Sequence, residues 1–446
     1  MSAVASPHKA GRRERWAWYL YDFGNSAYAA VVLLAIYAAY FKGTVVGGEL
    51  GSKLWGYAVG IAMLIVLIAS PILGTIADFV ASKKRFLFVC TALSCVFTAM
   101  LFFVQRGDWF IGMLFFILAE VGYRGAQVFY NALLPDIAHP DEMGNISGIG
   151  WAIGSAGGII CLMIVLLPVI LTEGNPALNN LVVRLSFVFT AIYFALAALP
   201  TFLWVRERSE PHRLPPGENY LAMAFKRLSV TFKEVRRFRE FVKFMLAYIV
   251  YNDGILMVLD FGAILGAVLF GMNQQELIVF MIIVQITSVL GAYLFGLVTH
   301  YYSGKRALLI SLVLMIASVI WLYFSRSEIE FYVIGAVAGL ALTGVQSVSR
   351  TVVGLFSPPG RSAEFYGFFA VTGHTSSFIG PTLFGWLAFQ ATQWYRRAGG
   401  LTGLAAEQAG HRVALFSIVA FLVVGLLFLL WVNEKKGRAA AEAPLE

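Results

Sequence analysis

This chain carries little charge. Asp, Glu, Lys and Arg make up 13% of its 446 residues, about half the share of an ordinary soluble domain, while 59% are hydrophobic and the mean hydropathy is +0.77. That balance excludes an ordinary soluble protein and leaves a polytopic helical membrane protein, because the apolar runs are long enough to cross a bilayer. Cysteine is scarcer still. Cys90, Cys95 and Cys161 all lie inside apolar runs, which argues against a disulfide framework and a thiolate metal site and leaves ordinary helix packing. No Ser/His/Asp arrangement, phosphate-cradling glycine loop or metal-ligand spacing stands out, so neither an enzyme nor a cofactor nor a metal is expected. A cleavable secretory leader is not expected either, since the apolar run after the basic N-terminus continues to Phe41 without a small-residue cleavage site and reads as the first span. The net charge of +8 invites a nucleic-acid reading, but basic residues spread over short loops at alternating span ends fit the positive-inside bias instead.

What charge there is gathers in one place. The stretch Arg206–Lys243 holds ten of the 33 Lys and Arg residues together with Pro211, Pro215 and Pro216, and long apolar runs flank it on both sides. We therefore expect an all-α polytopic fold of twelve transmembrane helices in two pseudo-symmetric six-helix bundles, with both termini cytoplasmic. The expected parts are a tail 1–15, a first bundle 16–205, a basic linker 206–243, a second bundle 244–432 and a tail 433–446. Orientation follows from counting: 23 Lys or Arg fall on the side of the termini, eight on the other, and Arg124 and Arg350 lie within spans. In the linker, Leu221, Phe225, Leu228, Phe232 and Val235 recur at helical spacing, with Lys226, Arg227, Lys233, Arg236 and Arg237 opposite them. That pattern suits either an amphipathic helix on an anionic inner leaflet or a charged cytosolic linker.

The halves repeat one another. Tyr21-Asp22-Phe23-Gly24 aligns with Tyr251-Asn252-Asp253-Gly254 at an offset of 230, the Gly74, Asp78, Lys83 and Lys84 turn with Gly296, His300, Lys305 and Arg306 at 222, and Gly125-Ala126-Gln127 with Gly344-Val345-Gln346 at 219. Duplicated six-helix halves are a transporter plan, with the substrate held near mid-depth where the halves face each other. Within the first half, Gly150, Gly154 and Gly158 give the fifth span a smooth face for close helix approach.

An ionisable group inside a bilayer costs on the order of 3 kcal/mol even on the insertion scale, so each one is a candidate for function. Counting along the spans puts Glu120, Asp253 and His374 near the midplane, Asp22 and Arg124 toward the cytoplasm, Asp260 toward the outside and Arg350 close to the inner mouth. Glu120 and Arg124 are four apart on one helical face. They form either a structural pair that locks the fourth span, or a carboxylate-binding fork with a protonatable partner. His374 is the group most easily switched by pH, unless it is a satisfied interior hydrogen-bonder. Asp22, Asn25 and Tyr28 recur every three residues and line one side of the first span, while Gln127, Tyr130 and Asn131 add polar and aromatic groups from the fourth. Tyr251, Asn252 and Asp253 do the same from the seventh. Substrate contacts are thus expected at Asp22, Asn25, Tyr28, Arg124, Gln127, Tyr130, Asn131, Tyr251, Asn252, Asp253 and His374, and proton coupling at Glu120, Asp253, Asp260 and His374. Acidic and basic centres among groups of both hydrogen-bonding types suit a small zwitterion better than a greasy drug or a bare sugar. The turn Gly74, Asp78, Lys83, Lys84 and Arg85, with Arg350 and with Glu364 as the partner of its basic residues, is expected to act as a gate.

These residues match a known pattern. The Gly74-x-x-x-Asp78-x-x-x-x-Lys83-Lys84-Arg85 turn resembles the signature loop of the major facilitator superfamily. Trp18 to Tyr28, Phe129 to Ala138, Tyr251 to Gly254 and Ala363 to Gly385 resemble its Atg22-like, UMF1-type branch. The resemblance runs over residues 14 to 433. It implies a secondary transporter associated with export of small polar solutes such as amino acids by alternating access. Alongside it, a monomer in a bacterial cytoplasmic (inner) membrane is expected, with protons as the coupling ion and the lipid bilayer, its inner leaflet anionic, as partner. Uptake of another small solute (a sugar, a drug or an organic ion) and a non-transporting receptor or scaffold are the alternatives. Family-matching site residues are Asp22, Asn25, Tyr130, Asn131, Asn252 and Asp253. The chain departs from the family pattern at His374 and around Arg124, which points to a changed ligand or altered proton coupling.

Overall fold

The computed structural model describes residues 10–46, 48–172, 174–208, 220, 223–224, 238–272, 274–376, 379–397 and 399–443. Among them the chain is entirely helical apart from its turns: α1 (Arg12–Tyr28), a π-helical segment (Ala29–Ala35), α2 (Ile36–Tyr40), a second π segment (Phe41–Val46), α3 (Gly48–Phe79), α4 (Lys83–Met100), α5 (Trp109–Ala132), α6 (Leu134–Ile137), α7 (Met143–Leu171), α8 (Pro176–Trp204), α9 (Arg239–Phe270), α10 (Gln274–Tyr301), α11 (Gly304–Phe324), α12 (Glu328–Phe356), α13 (Ser362–Ser376), α14 (Ile379–Arg397), α15 (Gly403–Leu430) and α16 (Glu434–Glu442). Eleven helical stretches among the described residues are long and apolar enough to cross a membrane. The expected span Ala363–Gln390 forms as α13 and α14, with residues 377–378 between them outside the described set. The apolar positions expected to line an amphipathic helix in the linker, Leu221, Phe225, Leu228, Phe232 and Val235, also lie outside it.

The burial pattern inverts that of a soluble protein. On α8 the exposed side chains are Leu185, Phe189, Ile192, Leu196, Leu199 and Leu203, recurring every three or four residues, while Ser186, Thr190 and Thr201 are buried on the other side. A continuous apolar stripe on the outside is stable only against lipid, so this is an integral, multi-pass membrane protein.

The chain packs as two compact units, one of Met1–Phe232 with Ser357–Val371, the other of Lys233–Phe356 with Thr372–Glu446. In the first, the glycine face of α7 receives α1. A Cβ at Gly150 would lie 2.4 Å from the Trp18 ring, at Gly154 2.8 Å from the Asp22 carboxyl carbon, and at Gly158 3.1 Å from the Ser26 carbonyl. The register advances by four on both helices, so the two run parallel with their axes closer than any side chain there would allow. In the second, Gly291 and Gly339 let α10 and α12 approach to similar distances.

Each unit closes with the same contacts. In the first, Glu14 of α1 accepts the Arg206 N–H (3.2 Å) just past α8, Lys84 donates to the Val205 carbonyl (2.6 Å), and Glu207 accepts the N–H groups of Lys84 and Lys83 at the start of α4. In the second, Glu240 of α9 accepts the Asn433 N–H (2.6 Å) just past α15, Lys305 donates to the Val432 carbonyl (2.7 Å), and Glu434 accepts the Lys305 N–H (2.8 Å) at the start of α11. Corresponding residues stand 226 (Glu14 and Glu240), 227 (Val205 and Val432, Glu207 and Glu434) and 221 (Lys84 and Lys305) apart, the same small drift of offset that the motifs show. The acid satisfies the orphan N–H groups of one helix and the lysine the orphan carbonyls of another, so span ends that would otherwise carry unpaired backbone groups are closed by two charges. Burial pushes the Glu207 carboxyl above the ordinary carboxylate range, opposed by the Lys84 N–H and the Lys83 charge. Replacing Glu434 with Ala should cost about 1 to 2 kcal/mol, the range for losing a helix cap, read as a lowered thermal midpoint of the purified protein in detergent.

Candidate functional site

In the first unit, α1 and α5 bring polar groups together inside an apolar interior. Glu120 is fully buried and its Oε1 accepts from the Arg124 Nε one turn along α5. The Tyr28 hydroxyl lies beside the Glu120 carboxylate and acts on it as a hydrogen-bonding group. The Tyr28 ring stacks on Tyr123 (centroids 4.6 Å apart, planes 27°), and Gln127 donates to the Tyr123 hydroxyl at 3.2 Å. Asn25, one turn back from Tyr28, is fully buried with both its amide oxygen and nitrogen unpartnered among the described residues. Leaving such groups unpaired costs about 1 to 3 kcal/mol each, so each calls for a partner. The Asn25 amide, the Tyr28 hydroxyl and the Glu120 carboxylate can together give and accept hydrogen bonds. The helix loosens at the same place, since α1 passes into the π segment directly after Tyr28. Wide π turns recur at functional sites because they shift side chains out of α register.

The other expected contacts of this unit have structural partners. The Tyr130 ring is stacked between Trp18 (4.4 Å) and Tyr21 (4.9 Å), and its carbonyl accepts the Trp18 indole N–H at 3.0 Å. Both ring faces are occupied by neighbours, so stacking on a solute is not available to it here. The Asp22 carboxyl packs over Gly154, within electrostatic reach of Tyr123. Asn131 is half-buried near the end of α5.

In the second unit, the Tyr251 hydroxyl pairs with Ser349 (2.8 Å), and Gln346 donates to Asn252 at 3.4 Å. Asp253 is buried, and its carboxylate accepts the Gly380 N–H in the first turn of α14. Asp260 is exposed and Arg350 is buried. His374 belongs to α13, but its side chain lies outside what is described.

The turn between α3 and α4, expected to act as a gate, is built around a carboxylate at a helix start. Asp78 Oδ2 accepts the Glu364 N–H at 2.8 Å, with the Ala363 N–H beside it, so an acid from α3 caps α13. Lys83 sits between Asp136 (3.1 Å) and Asp78 (3.7 Å). The Glu364 carboxylate receives a two-pronged Arg361 guanidinium (Nε and Nη2, both 3.0 Å), and Ser362 donates to the Ala132 carbonyl at 2.8 Å. The expected link between this turn and Glu364 therefore exists in a different form: the acid of the turn meets the Glu364 main chain, because a helix N-terminus presents N–H groups to it. Gly74 makes this approach possible, since a Cβ there would stand 2.4 Å from the Ala363 carbonyl oxygen. Arg85 is exposed. Tyr123 and Arg361 are not among the expected site residues, and Asp136 stands only within the Phe129 to Ala138 stretch that carries the family resemblance. For Arg361 the signal available was its i, i+3 spacing to Glu364.

Among the described residues no group of three or more His, Cys, Asp or Glu is placed to hold a metal ion. Solved structures with this fold include the human organic anion transporter MFSD10 (13% identity, TM-score 0.68, covering 94% of this chain and 99% of that one) and the proton:xylose symporter XylE (12% identity, TM-score 0.70, 96% of each). The fold is that of the major facilitator superfamily. In sequence the chain is 28% identical over 429 residues, 94% of each protein, to the uncharacterized MFS-type transporter YxiO of Bacillus subtilis (strain 168). It is 27% identical over 261 residues to autophagy-related protein 22-1 of Penicillium rubens, a match that takes in 54% of this chain and 43% of that protein. Residues 52–442 match the family model described as vacuole effluxer Atg22 like, and the chain belongs to that family.

Proposed function

We propose that the protein is a secondary active transporter that exports a small polar or zwitterionic metabolite, amino acids or short peptides foremost, by alternating access. In this reading twelve spans form two six-helix bundles with both termini cytoplasmic, and the protein works as a monomer in a bacterial inner membrane. The observation that carries it is the ion pair between buried Glu120 and half-buried Arg124, with the Tyr28 hydroxyl against the Glu120 carboxylate and the buried Asn25 amide one turn away. An acid, a guanidinium, an amide and a phenol together offer partners for an ammonium, a carboxylate and neutral hydrogen-bonding groups. Gln127 on α5, and Tyr251, Asn252 and Asp253 on α9, supply the further polar contacts. The proton is the coupling ion, with Glu120, Asp253, Asp260 and His374 as its carriers. Export is favoured by the family description alone, since the geometry has no preferred direction. Gly74, Asp78, Lys83, Lys84, Arg85, Arg350 and Glu364 serve as the inner gate, closed while Asp78 caps α13.

A thermal-shift screen of the purified protein with amino acids, dipeptides, sugars and lipophilic cations tests the substrate class. Amino acids or dipeptides should raise the midpoint, and more weakly so in Asn25→Ala. Stabilisation by sugars or lipophilic cations alone would replace the zwitterion reading with the uptake alternative. No stabilisation by any of them would favour a receptor or scaffold.

A further inference from the structure

Helix α9 carries two carboxylates in opposite surroundings. Asp253 is 1% exposed, its Oδ1 has no hydrogen-bond partner among the described residues, and the N–H of Gly380 reaches its carboxylate from α14. Asp260 lies seven residues on, which returns it to the same side of the helix about 10 Å along the axis, and there it is exposed. Ile264 continues that stripe and is also exposed. A charged group turned toward hydrocarbon is strongly disfavoured, so a carboxylate exposed at this depth faces water or a polar path.

The elements packed against α9 bring little charge to either acid. From α14 come Gly380 against Asp253 and Phe384 against Phe261; from α15 come Leu422 against Gly254 and Ser417 against Met257. His411 of α15 meets the Phe384 ring and is hydrogen-bonded to the Glu407 carbonyl, and Tyr251 is engaged with Ser349 of α12. No charged side chain among the described residues acts on either carboxylate. Neither carboxylate is therefore held by an ion pair among the described residues.

We propose that Asp260 and Asp253 form a two-step proton path along α9, with Asp260 as the water-facing port and Asp253 as the buried acceptor. A proton leaves water and binds an Asp260 oxygen. It then passes through intervening water to Asp253 Oδ1, leaving Asp260 ionised again, with nothing oxidised or reduced. Neutral Asp253 is a weaker acceptor for the Gly380 N–H than the carboxylate is, so proton arrival loosens the start of α14. The path deepens the transport reading and rests on it for its purpose, which is to let a proton gradient act on a helix.

Infrared difference spectroscopy of the full chain in lipid, exchanged between H2O and D2O at acid pH, tests the path with the proton as its only probe. A carboxylic C=O band that shifts on exchange should be present in the wild type and missing in Asp253→Asn. In Asp260→Asn the band should remain but exchange about tenfold more slowly or worse, a barrier rise of about 1.4 kcal/mol, and Asp260→Glu should restore the rate. A band untouched by Asp253→Asn, or equal exchange rates in Asp260→Asn and the wild type, would overturn the inference. Because no solute is used, this outcome is independent of whether the screen above finds a substrate.

Discussion

Removing the Arg124 side chain by Arg124→Met should destabilise the protein by about 3 kcal/mol, the lower end of the cost of stranding one half of a buried ion pair, because the Arg124 side chain keeps 23% of its surface exposed. Glu120 itself has no exposure at all. Without the guanidinium its charge has lost the contact that offsets burial. The double variant Glu120→Gln/Arg124→Met removes both charges and should recover most of that loss in thermal unfolding, because a neutral amide is far cheaper to bury than a carboxylate. Transport should not recover with it. A stable but inactive double variant assigns the pair to solute or proton handling, whereas a stable and active one makes it a lock for α5. The two readings that the i, i+4 spacing leaves open are separated by that one comparison.

The second large effect is expected at the turn between α3 and α4. Gly74→Val places a branched side chain where even a Cβ would stand 2.4 Å from the Ala363 carbonyl oxygen, and backbone cannot yield as a flexible side chain could. The start of α13 must move away from α3, and the Asp78 cap is lost with it. Asp78→Ala removes the cap while keeping the space, at about 1 to 2 kcal/mol. Ser362, buried at this junction, reports both. A cysteine introduced there should react with a water-soluble maleimide about tenfold faster in Asp78→Ala and faster still in Gly74→Val. Unchanged reactivity in both would mean that neither residue holds α13 in place.

How much of this was readable beforehand depends on whether the signal was local. The glycine spacing on α7 announced a helix at close range, and Trp18, Asp22 and Ser26 of α1 fill it in register. Costly polar residues in apolar runs picked out Glu120, Arg124, Asn25 and Tyr28 without any structure. The π segment after Tyr28 was not legible, because Ala29–Ala35 contains no Gly or Pro to mark an irregular turn. Tyr123 reads as an ordinary aromatic in a hydrophobic helix, and only the stacking of Tyr28 gives it a role. Tyr130 reads as a binding aromatic until Trp18 and Tyr21 are seen on its two faces. Stacking is a tertiary property with no sequence period.

The clasps at the ends of the units are a different kind of omission. Val205-Arg206-Glu207 and Val432-Asn433-Glu434 stand 227 apart, between the other offsets of the repeat. A charged residue just past a span is ordinarily read as solvated, so the match passes unnoticed until Glu207 and Glu434 are found at the starts of α4 and α11.

The central claim is that this chain carries a small zwitterion across a membrane, and counterflow in proteoliposomes tests it most directly. Vesicles holding the full chain and loaded with an unlabelled mixture of amino acids should accumulate a labelled amino acid transiently above its external level. The Glu120→Gln/Arg124→Met variant, reconstituted to the same density, should not. Failure of the wild type to accumulate any labelled amino acid or dipeptide above protein-free vesicles would contradict the account.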